Sequence, residues 1–177
     1  MPVGNLEFIT SVTVSSGVTT VNVDNVFSDQ YDVYYCQVVG VFHDTDVSNG
    51  VEGIRLIDSG GSVISASEYD NATLVLKADT TFQEVRNTSN SYMNMYLITD
   101  QQSDGSSSSS FYIYNPYDSS SYTFMQYQST GANSSSKWGG KGIAVHKSAE
   151  TIRGLQLYES NGARTFGGGQ INIYGVK

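Results

Sequence analysis

Apolar side chains recur at every second residue along most of this chain. Val12 and Val14, Val21 and Val23, Ile54 and Leu56, and Ile171 and Ile173 each set two aliphatics on one side of an extended segment. Twelve stretches read as strands: LEFITSVTVS, TTVNVDNVF, YDVYYCQVVGVF, EGIRLIDS, ATLVLKAD, TFQEVRN, MNMYLITD, SFYIYNPY, YTFMQYQS, GIAVHKS, IRGLQLYES and GQINIYGVK. Turn clusters separate them, among them SNG, DSGGS, SDGSSSSS, NPYDSSS and ESNG. Short strands at this spacing, with no helical period, predict an all-β, antiparallel β-sandwich. Residues 1–28 are expected to form an N-terminal arm or edge strands, and residues 29–177 the sandwich domain. Gly60-Gly61 and Asn161-Gly162 suit two-residue type I′ hairpin turns. GIRLIDSGG (53–61) also echoes GLQLYESNG (154–162), through convergent hairpin chemistry or a distant duplication.

Composition supports the strands. Tyrosine occurs 13 times and glycine 18 times, against 2 prolines and only 15% charged residues. The net charge of −8 repels phosphate backbones, so no nucleic-acid partner is expected. No apolar run approaches the ~20 residues of a membrane span, and the N-terminus has no signal-peptide pattern, so no membrane partner is expected. The single cysteine, Cys36, precludes an intrachain disulfide and is expected to be buried as a small hydrophobe.

Candidate chemistry is sparse. Asp44 and Asp46 form an Asp-X-Asp loop of a kind that binds calcium, but without the further acidic ligands of a dedicated site; a solvated loop is the expectation. His43 and His146 stand without a cysteine or second histidine beside them, so no zinc site and no cofactor is expected. His146 alternates with Ile143 and Val145, which is read as placing it opposite the core. No nucleophile elbow accompanies the serines, and the protein is expected not to be an enzyme. The aromatic region is more informative. Tyr112, Tyr114, Tyr117, Tyr122 and Tyr127, with Trp138 close behind, are read first as cross-strand packing, second as a candidate subunit interface and third as a glycan surface.

Several segments together resemble a set of tailed-bacteriophage virion proteins. They are YDVY (31–34), the hairpin LIDSGGSVISASEYD, the Tyr-Asn-Pro strand FYIYNPYDSSSYTFMQYQ, KWGGKGIAV, and the ending IRGLQLYESNGARTFGGGQINIYGVK. The resemblance covers residues 31–177. It departs at the hairpin, where related modules set an aromatic soon after the glycines and this chain has Ser62, Val63 and Ile64. It implies a jelly-roll-like sandwich on the virion exterior, made in the host cytoplasm, and carries no catalytic residues. Within that setting the chain is expected to be a capsid decoration, or cement, protein bound to the major capsid protein. Its short length and lack of a fibre shaft favour this over a tail-fibre or tail-tip protein recognising host glycan. Val12, Val14, Val21 and Val23 are the candidate capsid-anchoring arm. The tyrosine load and low charge further suggest self-association as a homotrimer.

Overall fold

The computed structural model describes residues 5–44, 50–99, 106–132, 137–160 and 164–177. All regular structure among them is β. The strands are β1 (Leu6–Thr13), β2 (Thr20–Val23), β3 (Val33–His43), β4 (Gly50–Asp58), β5 (Tyr69–Lys77), β6 (Gln83–Asn90), β7 (Met93–Thr99), β8 (Ser107–Tyr114), β9 (Thr123–Ala132), β10 (Lys137–His146), β11 (Ile152–Glu159) and β12 (Phe166–Val176). They form a large antiparallel sheet, β1-β12-β3-β8-β9-β10-β5-β6, and a small one, β2-β11-β4-β7.

The order has a simple logic. β1 pairs with β12, β2 with β11, β3 with β8 and β4 with β7. Eight strands thus fold as one long hairpin laid across two sheets, which is the jelly-roll path. Two further hairpins, β5–β6 and β9–β10, are inserted into that path. They dock beside β8 and double the width of the large sheet. β7 packs across the inner face of this annex.

The core lies between the sheets. Val38, Ile54, Leu56, Phe111, Ile113, Leu155, Leu157, Ile171 and Ile173 are all buried there. Ile171 and Ile173 belong to β12, which lies between β1 and β3 and is therefore hydrogen-bonded on both edges. Cys36 is fully buried, and burial pushes its thiol far above the usual range. Gly140 and Gly142 of β10 leave room for Tyr127: a Cβ on Gly142 would fall 2.6 Å from its ring.

The N-terminal stretch is woven into this core. Val14 and Val23 are buried within the same chain, and Val12 and Val21 pack partly against the core. Their backbones pair with β12 and β11, as the outer strands of the two sheets. Val14 and Val23 thus bury their side chains in their own domain, and Val12 and Val21 do so in part, while β1 and β2 keep the outer positions of their sheets.

The turn after β4 also differs from expectation. It is a three-residue loop, and of its glycines only Gly61 has positive φ, +87°. Asp58 organises it: its carbonyl accepts from Gly61 N at 3.0 Å and its Oδ1 from Ser62 N at 2.9 Å. The echo of this hairpin lies beside it, since β4 and β11 pair with Leu56 opposite Leu155 and Ile54 opposite Leu157. Asn161-Gly162 lies outside the described residues.

Candidate functional site

Strand parity decides what the large sheet shows to its surroundings. In β9, Met125, Tyr127 and Ser129 point inward and Phe124, Gln126 and Gln128 outward. In β8, Phe111 and Ile113 point inward and Tyr112 and Tyr114 outward. In β10, Ala144 and His146 are inside, while Ile143 is 62% exposed. Two sequence expectations are thereby corrected. Tyr127 is a core residue whose hydroxyl meets Thr73 Oγ1 at 2.5 Å. His146 faces the core, because the apolar Ile143 and Val145 occupy the outer face of the same strand.

The remaining aromatic candidates fall in three places. Tyr112 and Tyr114 lie on the outer sheet face. Tyr117 and Tyr122 sit exposed in the turn joining β8 to β9. Trp138 stands at the far end of β10, its ring 6.3 Å from that of Tyr96 and 3.9 Å from the Lys77 ammonium.

Register then assembles residues that are remote in sequence. One transverse row crosses all eight strands of the large sheet: Phe8, Tyr174, Tyr35, Tyr112, Gln126, Ile143, Ala72 and Arg86 stand successively opposite one another. Its jelly-roll half is a ledge of rings. Centroids are 5.6 Å apart for Phe8–Tyr174, 6.0 Å for Tyr174–Tyr35 and 5.1 Å for Tyr35–Tyr112. Its annex half is a groove of about 450 Å³. The groove exists because the small Ala72 stands between Ile143 and Arg86. Tyr114, Phe124 and Val145 add to its wall, and Asp70, Asn87 and Thr88 are among its polar lining. Arg86 is exposed and has no ion pair among the described residues.

Among the described residues, the outer face of the small sheet carries contacts within itself. The Arg55 guanidinium lies 3.5 Å from the centre of the Tyr158 ring, and Tyr92 packs edge-on to that ring. Gln156 Nε2 donates to Asn22 Oδ1 at 2.7 Å. At its rim Arg153 grips Asp24 through two bonds of 2.7 and 2.6 Å, which holds the Asp24 carboxyl below its usual range.

The titratable groups elsewhere serve the fold. Asp44 accepts from Gly17 N, Ser16 Oγ and Thr165 Oγ1, so its carboxylate ties three chain segments together; Asp46 lies outside the described residues. His43 and Glu52 are a buried pair at 3.0 Å. His146 Nε2 stands 3.1 Å from Glu68 and 3.7 Å from Glu150, and these three donors lie within 4.8 Å of one another. The buried Nδ1 of His146 has no acceptor to orient it, the support that a metal-bound histidine normally has.

Sequence reasoning grouped the tyrosines by proximity along the chain and so missed Phe8, Tyr35 and Tyr174. The signal was strand parity: Tyr35 alternates with the core residues Tyr34 and Cys36, as Tyr174 does with Ile173.

No family model matches the chain, and no curated protein matches it by sequence. Among solved structures, it is similar to the potassium-bound carbohydrate recognition domain of Emp46p, at 12% identity and a TM-score of 0.31, over 97% of this chain and 88% of that one. It is also similar to the CBM2 module of the evolved Dit of Lactobacillus casei BL23 phage J-1, at 7% identity and a TM-score of 0.25, over 89% and 68%. A structure of infectious bursal disease virus, Gx strain, shares 14% identity at a TM-score of 0.19, over 97% and 36%. Scores of this size carry no functional argument, and the reading of this protein rests on its own residues.

Proposed function

We propose that the protein is a virion structural protein of a tailed phage that decorates the head, seated on the major capsid protein and acting by contact. One observation carries this reading: the two outer faces are unequal. Among the described residues, the outward side chains of the small sheet pair with one another, Arg55 with Tyr158 and Gln156 with Asn22, whereas the annex of the large sheet leaves an apolar groove open beside a cation without an ion pair. Apolar surface of this kind marks a protein contact site. The groove fits an apolar side chain of the partner, and Arg86 fits a carboxylate next to it. On a lattice, modest contacts of this kind sum to high avidity, and trimers around a local threefold would multiply them. No nucleic acid or membrane is involved.

The sequence resemblance supports the phage setting. A second location, at the tail tip as a receptor-binding protein, is favoured by the ring ledge. Phage lacking the protein separate the two. Heads that rupture at low salt or on heating, with normal adsorption, support decoration. Sound heads with failed adsorption place the protein at the tail and overturn it.

A further inference from the structure

We propose that the ledge formed by Phe8, Tyr174, Tyr35 and Tyr112 is a binding site for a neutral linear polysaccharide. This does not rest on capsid seating, because the four rings all stand on jelly-roll strands, whereas the groove is lined mainly by the inserted hairpins. Sheet twist of roughly 20–25° per strand also turns the two halves toward different directions.

Three observations point to carbohydrate. First, the rings form a continuous track. Four strands at a spacing of about 4.8 Å give a row about 15 Å long, which accommodates several sugar rings in line. Sugars stack their C–H faces on aromatic rings, and tyrosine offers that surface at low entropic cost. The rings are already positioned, each lying 5.1–6.0 Å from the next.

Second, hydroxyl-binding groups run parallel to the track. The next outward row, two residues along each strand and three along β1 past its bulge, reads Ser11, Asn172, Gln37, Ser110 and Gln128. Gln37 Nε2 donates to Tyr35 Oη at 3.2 Å, and Ser11 Oγ to Asn172 Oδ1 at 2.8 Å. Amides and hydroxyls both donate and accept, as sugar hydroxyls do. Where the two rows meet β9, a cavity of about 160 Å³ opens between Ser110, Tyr112, Gln126, Gln128 and Lys141.

Third, neither row carries a charge until Lys141 is reached, although the chain as a whole carries −8. An uncharged strip of rings and amides matches an uncharged polyhydroxyl ligand. An anionic polymer would find no cations on the ledge and would meet repulsion from the rest of the protein.

The test is affinity electrophoresis of the purified full chain through native gels containing laminarin, dextran or hydroxyethylcellulose, with alginate as the anionic control. Retardation by at least one neutral polymer and not by alginate is expected. Tyr112→Ala should weaken it about tenfold, the loss of one stacking contact. Gln37→Ala, which leaves every ring in place, should weaken it measurably. Ile143→Ala, in the groove, should leave it unchanged. No retardation in any neutral gel, equal retardation by alginate, or unaltered retardation of both Tyr112→Ala and Gln37→Ala would overturn the proposal. Head binding is read separately, so failure here leaves the decoration reading standing, and the converse also holds.

Discussion

The hydroxyls of Tyr127 and Thr73 meet at 2.5 Å inside the sandwich, linking β9 to β5 beneath the strand that separates them. This contact holds Tyr127 in the core, so Gln126 and Gln128 face outward beside the ledge. Burial raises the Tyr127 hydroxyl well above the usual tyrosine range, so it stays protonated. Tyr127→Phe leaves the buried Thr73 hydroxyl without this partner. The expected cost is about 1–2 kcal/mol in denaturant unfolding, with ledge and groove binding unchanged.

Gly169 and Gly17 separate backbone strain from crowding. Both have positive φ, +136° and +82°. A Cβ on Gly169 would lie 2.6 Å from Val41 Cγ2, whereas one on Gly17 meets nothing within 4 Å. Gly17→Ala should cost about 1 kcal/mol and Gly169→Ala about 2 kcal/mol or more. Equal melting temperatures for the two variants would contradict this placement of the glycine run.

β12 lies inside the large sheet, between β1 and β3. Removing residues 170–177 strips Ile171 and Ile173 from the core, takes from β1 most of the only strand it pairs with, and frees one edge of β3. The truncated protein should lose cooperative unfolding, and an unchanged melting temperature would refute the position of β12.

Much of this was legible in the alternation. Ile171 with Ile173 and Ile54 with Leu56 announced core faces, and the turn clusters separated twelve strands. Parity was not legible where both faces of a strand are apolar. In GIAVH the larger aliphatics, Ile143 and Val145, face outward, and His146 takes the inside beside Tyr69. In YTFMQYQ the inward set is Met125 and Tyr127, and Phe124 is left exposed. The candidate site was less legible than the fold. Phe8, Tyr35, Tyr112 and Tyr174 become neighbours only through register, which no local pattern encodes.

Acid should destabilise the protein through four carboxylates held below their ordinary values. Arg153 lowers Asp24, Lys147 lowers Asp70, Ser120 lowers Asp118 and Lys177 lowers Glu7. Their contribution is complete above the ordinary values of 3.8 for aspartate and 4.5 for glutamate, and is lost as pH falls through the lower folded values. Melting temperature should therefore hold from pH 7 to about 5 and fall below about pH 4. Asp24→Asn should be less stable than wild type at pH 7 and converge with it in acid. On the alkaline side, the hydrogen bond to Glu7 raises Tyr31 to about 12, so its contribution is present below 10 and lost as pH rises toward 12.

The proposed seating on the capsid puts the contact at the annex of the large sheet's outer face. Co-sedimentation of the purified protein with heads that lack it tests this most directly, comparing wild type with Ile143→Asp. Ile143 is 62% exposed, so the variant is expected to fold normally. The account predicts saturable binding of wild type and at least about tenfold weaker binding of Ile143→Asp, about 1.4 kcal/mol. Binding of Ile143→Asp as tight as that of wild type would contradict it.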